Sequence, residues 1–237
     1  MTDFVIWPHR LLVPGAIEAN VVPFSRSGGT TLGGLQRVTR TDRGWWSIAY
    51  KGVPLKTAAD RRMFNALGTH CSGMATPIVV PVWSQDSAEW PAGSVRGRYL
   101  TPHSDGSSFD DGSLYSQPAI VVENVENVGI GATSIKLRVV SGIGEPVGVR
   151  FSYEHALYKT GFPTLVEDDE WTLPITPPIR APIPAGAELE FGLPTCLVRL
   201  ASDRELDTSF SAGFFDRVDV AFVEAADYWN DLAAEEE

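Results

Sequence analysis

The sequence predicts a mainly β protein: a β-sandwich domain with one short helix, carrying an inserted small β-barrel or sandwich module. Three observations predict it. Seventeen prolines and 22 glycines are scattered without period through 237 residues, which marks many turns and short extended pieces. Apolar residues alternate with polar ones over short runs, separated by turn residues every 8–12 positions or so. One stretch alone, from Thr57 to Gly68, changes to helical spacing.

The elements follow in order. Phe4-Val5-Ile6-Trp7 begins as a strand and is broken by Pro8. Ala19 to Phe24 is a second extended piece. Prolines at 8, 14 and 23 keep this N-terminal arm extended; such an arm can lie across a neighbouring subunit instead of its own core, and residues 2–24 are expected to contribute to the subunit contact. Ser25 to Gly34 is rich in Ser, Gly and Thr and reads as a flexible connection. Its Gly28-Gly29 and Gly33-Gly34 lack the Lys-Ser/Thr ending of a phosphate loop.

The chain is organised around Arg37 to Val82. Val38, Trp46, Ile48 and Tyr50 share even positions, so this is a strand pair or one long bent strand with a turn or bulge at Asp42-Arg43-Gly44. Trp45 and Trp46 then face opposite ways, one to the core and one to an interface. Thr57 is the expected N-cap of the helix, answered by Asp60. Ala59, Met63, Ala66 and Leu67 form its expected apolar stripe, and Gly68 its stop. Thr76 to Trp83 is extended again.

From Ser84 to Tyr115 the composition is irregular, with an acidic loop at 104–113; Glu89-Trp90-Pro91 and Tyr99 are its expected anchors to the core. Strands resume at Ala119–Glu123, 132–140, 147–153, 155–158, 171–175 and 189–191. Cys196 to Leu200 and Val218 to Glu224 are the last two, and the tail from Asp227 is expected to fray. The return of alternation after the proline-rich stretch implies a discontinuous organisation. Residues 1–123 and 197–237 form one β domain, and residues 124–196 an inserted β module. The last strands should pair with those near 46–50 and 78–82.

The formal net charge is −11. Such a surface repels nucleic acid, so specific DNA binding is not expected. It suits a basic partner, or a conduit that DNA must pass without sticking. No basic, apolar leader opens the sequence, and no stretch reaches the roughly 18 apolar residues of a membrane span, so a soluble cytoplasmic chain is expected.

No catalytic, cofactor or metal residue is assigned. Cys71 and Cys196 read as two buried free thiols. His70 beside Cys71 reads as a helix cap and a packed thiol, because a cysteine nucleophile needs a positioned base. The acids at 104–113 miss the spacing of a calcium loop. Glu167-Asp168-Asp169-Glu170 reads as a solvated hairpin tip, since adjacent acids on an extended chain point to opposite sides.

One order of features has a counterpart. Trp7-Pro8 is followed by Ser25-Arg26-Ser27-Gly28-Gly29, the lead-in Leu32-Gly33-Gly34-Leu35-Gln36-Arg37 and an aromatic strand Trp45-Trp46-Ser47-Ile48. A short helix from Ala58 to Leu67 and a Pro-flanked strand come next. Later come Ile130-Gly131-Ala132-Thr133-Ser134-Ile135, Pro177-Pro178-Ile179-Arg180 and Pro184-Ala185-Gly186-Ala187, then Arg199-Leu200-Ala201 and Val218 to Ala225. This resembles the distal tail proteins, minor tail-tip proteins of long-tailed siphophages. The resemblance covers most of the chain and carries no single invariant motif; residues 84–116 have no counterpart in it.

It implies a virion structural protein of the tail tip or baseplate, assembled in the host cytoplasm. A homo-oligomeric ring, a hexamer, would join the tail tube protein to the hub and leave a channel for the tape measure protein and DNA. It implies no enzyme activity and no cofactor. On this reading the acidic loops 104–113 and 167–170 are candidates for the channel wall. Two rivals remain open: another tail-tip or head-tail connector ring and, from the exposed tryptophans and the acidic run, a carbohydrate-binding module or glycan-acting β-sandwich protein.

Overall fold

The computed structural model describes all residues except 1–3, 31, 35, 84–86, 96, 103, 105, 209–215, 236 and 237, and omits the side chains of 24, 26–28, 30, 37–43 and 235. In order the elements are β1 (Ala16–Thr30), β2 (Gln36–Leu55), α1 (Ala58–Cys71), β3 (Ile78–Pro81), β4 (Arg98–Thr101), β5 (Tyr115–Pro118), β6 (Val121–Asn124) and β7 (Ser134–Ser141). Then come β8 (Arg150–Tyr153), β9 (Ala156–Thr160), β10 (Leu165–Glu167), β11 (Glu170–Thr176), β12 (Glu188–Leu189), β13 (Thr195–Leu200), β14 (Asp216–Glu224) and α2 (Ala226–Glu235). The protein is mainly β, as expected.

The first sheet runs β1-β2-β14-β13-β3, antiparallel throughout. The last strands therefore do pair with the early ones: Val198 sits opposite Ile78, and Phe222 opposite Ile48. Trp46, Ile48 and Tyr50 are buried on one face, with Trp45 half-buried. Inward positions then change parity, to Val53 and Leu55. A bulge causes the change, because Asp219 alone stands against Lys51 and Gly52. Gly52 has φ +63°, and its N–H donates to Asp219 Oδ1 at 2.8 Å. A second bulge sets Pro23 against residues 42–44, so β2 is one long strand bent at the expected place.

α1 is capped by a reciprocal pair: Asp60 N–H donates to Thr57 Oγ1 (3.1 Å) and Thr57 N–H to Asp60 Oδ2 (2.8 Å). The expected stripe and stop are corrected. Asp60, Phe64, Leu67 and Cys71 are the buried face, while Ala59, Met63 and Ala66 are exposed. The helix continues past Gly68 and ends at Ser72, whose φ is +47° and whose N–H donates to Gly68 O. Phe64 decides the rotation, because its ring is the largest apolar group the helix can bury.

The N-terminal arm packs into the core of its own chain through Trp7 and Leu12. Trp7 N–H donates to Val79 O (2.8 Å), and Trp7 Nε1 donates to Leu12 O (2.8 Å). The Trp7 ring meets Tyr50, Phe222 and Phe64 edge-on at 5.2, 5.8 and 6.4 Å. Burying one Trp and one Leu stabilises the fold by several kcal/mol, at ~1.5 kcal/mol or more each, more than an extended arm gains by staying in water. Residues 16–24 belong to β1. The flexible segment expected at 25–34 is also largely strand, because β2 satisfies its backbone as far as Thr30.

The second sheet runs β12-β6-β7-β11-β9-β8, with β10 on β11. Ser152 and Glu190 exchange backbone hydrogen bonds at 3.0 and 2.9 Å, which brings β8 back towards β12 and nearly closes a barrel. Ile135, Leu137, Phe151, Tyr158 and Leu173 fill it, and Phe151 stacks on Phe191 at 5.1 Å. α2 replaces the expected frayed tail. Trp229 is 4% exposed, and with Ala225 it packs on this second core beside Val79 and Leu197 of the first sheet.

Polar contacts fix one sheet on the other. Arg180 Nε donates to Glu224 Oε1 (2.8 Å), and Arg180 Nη2 to Gly44 O (2.6 Å). Glu224 Oε2 also accepts the N–H of Trp46 (2.9 Å), whose Nε1 donates to Leu157 O (2.7 Å). Leu197 N–H donates to His155 O (2.8 Å).

Candidate interaction surfaces

The first surface is the distal half of the β1–β2 hairpin. β14 accompanies β2 from Leu55 to Ser47 and goes no further. Beyond the bulge, Phe24 to Thr30 pair with Gln36 to Thr41 and with no third strand among the described residues. Seven residues at about 3.3 Å each make an arm of roughly 20 Å with two open edges.

The second surface is a tryptophan shelf. Trp83 leaves β3 and stacks on Trp90, centroids 4.7 Å apart and planes 28° from parallel. Trp90 Nε1 donates to Gly192 O at 2.6 Å, which locks the lower ring. Trp83 is 38% exposed. A cleft of about 1000 Å³ lies on one side, walled by Ala16 to Asn20 of β1. Another, of about 1060 Å³, is walled by Ser87 to Ala92 and Gly142 to Glu145. Both include Trp83 and Trp90.

Backbone direction along the first cleft follows from two hydrogen bonds. Trp46 N–H points to Glu224, away from β1. Its partner Val21, and with it Ala19 and Ile17, therefore direct their backbone groups away from β2. Arg150 caps this edge: it is 4% exposed, its Nη2 donates to Ala19 O (3.1 Å), and its guanidinium lies 5.9 Å from the Trp46 ring centre.

The groups considered for chemistry are dispersed. Cys71 faces the core and His70, the residue before it in α1, faces solvent, since successive helical residues diverge by about 100°. Burial raises the Cys71 thiol above its usual range, and Cys196 well above it. Both cysteines are free and buried.

His155 sits in the β8–β9 turn at φ +72°, with Nδ1 2.9 Å from Thr195 Oγ1. Burial holds its imidazole below the ordinary value, against the opposing pull of Glu154. Residues 167–170 are the β10–β11 turn, the expected hairpin tip. Glu170 is drawn between Lys136 and Arg138, and those hydrogen bonds lower its carboxyl. Asp110 and Asp111 lie exposed between β4 and β5, and Asp111 Oδ1 accepts the N–H of Ser113 (2.8 Å). His103 and Asp105 lie outside the described residues.

Of the expected anchors of the excursion, Trp90 holds it and Tyr99 is exposed. Sequence reasoning directed attention to Trp45 and Trp46 and missed the Trp83–Trp90 pair. A spacing of seven in an irregular stretch gives no periodic signal.

No helix among the described residues is long and apolar enough to cross a membrane. No family model matches the chain, and no curated protein matches it.

Proposed function

We propose that the chain is the subunit of a ring, a hexamer, at the distal end of a siphophage tail. The ring joins the tube to the hub and leaves a channel for tape measure and DNA. The observation that carries this reading is the distal β1–β2 arm, whose two edges lack a third strand among the described residues. Long open edges pair with another chain unless they are blunted, and a copy of the same chain is the partner a closed ring supplies. The order of sequence features shared with distal tail proteins supports the same reading. In the channel, Asp110 and Asp111 would present charge to DNA more fully than Glu170, which is already paired. Tube protein, hub and tape measure are the further partners, and no chemical turnover is involved.

The test shortens the arm. Phe24 and Thr41 are cross-strand partners, so a two-residue Asn-Gly turn can join them in place of residues 25–40. Light scattering and electron microscopy of the intact 25.8 kDa chain should give six-fold rings, and the shortened chain should give folded monomers. An intact chain that stays monomeric at every concentration, or rings that survive the shortening, would count against the reading.

A further inference from the structure

The tryptophan shelf is held in place by contacts within the chain that do not depend on any ring. Trp90 is fixed by its hydrogen bond to Gly192 O, and Gly97 lies so close that a Cβ there would come within 3.0 Å of the indole nitrogen. The outer ring, Trp83, rests on this base and is open to solvent. A flat, partly exposed indole held rigid matches the C–H face of a pyranose.

The two clefts that share the shelf supply acceptors. Glu18 and Asn20 of β1 are among the residues lining the first; Glu89 and Glu145 are among those lining the second. All four are exposed. Sugar hydroxyls donate well to carboxylates and amides. Each cleft is at or slightly above the top of the roughly 300–1,000 Å³ range of small-ligand sites, which is space for several sugar units.

Charge selects among glycans. The one Arg or Lys among the described lining residues is Arg150, and it is committed to Ala19 O and to the Trp46 face. Carboxylates therefore dominate the rim, and an anionic polymer would be repelled. The same arginine argues against a peptide strand adding to β1, because it already takes the Ala19 carbonyl in the middle of that edge.

We propose that the Trp83–Trp90 shelf binds a neutral oligosaccharide, with the Trp83 indole as the stacking platform. The full chain is titrated with cellohexaose, maltohexaose and chitohexaose, followed by tryptophan fluorescence and calorimetry, with hexagalacturonate as the anionic probe. At least one neutral hexaose should saturate the signal, and hexagalacturonate should not bind. Trp83→Ala should weaken binding about tenfold or more, with unchanged circular dichroism, and Trp83→Tyr should recover part of it. No binding by any of the three neutral sugars overturns the proposal. So does binding that survives Trp83→Ala, or equal binding of the acidic sugar. The titration reads the same on a monomer or a ring, so its failure leaves the assembly reading untouched.

Discussion

Arg180 and Glu224 form the main charged tie between the two sheets. The Glu224 side chain is 1% exposed and Arg180 16%, so this is a buried pair with its hydrogen bonds supplied by Trp46 N–H and Gly44 O. Removing the arginine strands a buried carboxylate. Arg180→Ala should cost about 3–5 kcal/mol in urea unfolding. A loss under about 1 kcal/mol would mean the pair behaves like a surface one. His155 gives the residue scale a pH signature. Its folded value is depressed by burial, so below its ordinary value, 6.5, the unfolded chain binds a proton that the folded one resists. Stability from this group is complete above pH 6.5 and falls as the pH drops towards the folded value. Melting temperatures across that window should decline for the native chain and flatten in His155→Asn, which also tolerates the positive φ. An unchanged slope would remove His155 as the cause.

At the scale of elements, two local devices set the shape of the first sheet. The Gly52 bulge switches the inward face of β2 from even to odd positions, so Tyr50 and Val53 share one core. Gly52 has φ +63°, and a Cβ there would meet only the flexible Arg217 side chain, at an ordinary contact of 4.0 Å. Gly52→Ala should therefore cost only backbone strain, about 1–2 kcal/mol. A neutral result in thermal melts would show that the bulge relaxes. The capping pair of α1 predicts a similar loss, about 1 kcal/mol for Thr57→Ala, with Thr57→Ser nearly silent. α2 reaches both sheets. Trp229, at its centre, lies in the second core together with Val79 and Leu197 from the first sheet.

For the whole molecule, the barrel is not an appended bead. Contacts from Arg180, Trp46, Arg150 and Leu197 cross from one sheet to the other, and Leu157 of β9 belongs to the first core. Heat unfolding should then be a single transition with equal calorimetric and van't Hoff enthalpies. Two resolved transitions would show that the sheets unfold separately. In Arg180→Ala the transition should broaden or split, because the main charged tie is gone.

Local sequence dictates what neighbours along the chain can impose. Ile135 and Leu137 alternate and are buried on one face of β7; Thr57 and Asp60 form a cap wherever a helix starts; Asp168-Asp169 turns a hairpin. It also foretold the pairing of the late strands with the early ones. What it left open depends on groups far apart in the chain. Which helix face turns inward was decided by Phe64 meeting Trp7, and whether the tail orders was decided by the second core that Trp229 joins. The arm docks at home because Val79 offers it a carbonyl, and the barrel closes because Ser152 reaches Glu190. The shelf exists because Gly192, a hundred residues away, accepts the Trp90 indole N–H. Period and turn chemistry carry the free energy of local backbone states. The choice among partners comes from buried area and satisfied hydrogen bonds between distant segments, and only the folded chain brings those together.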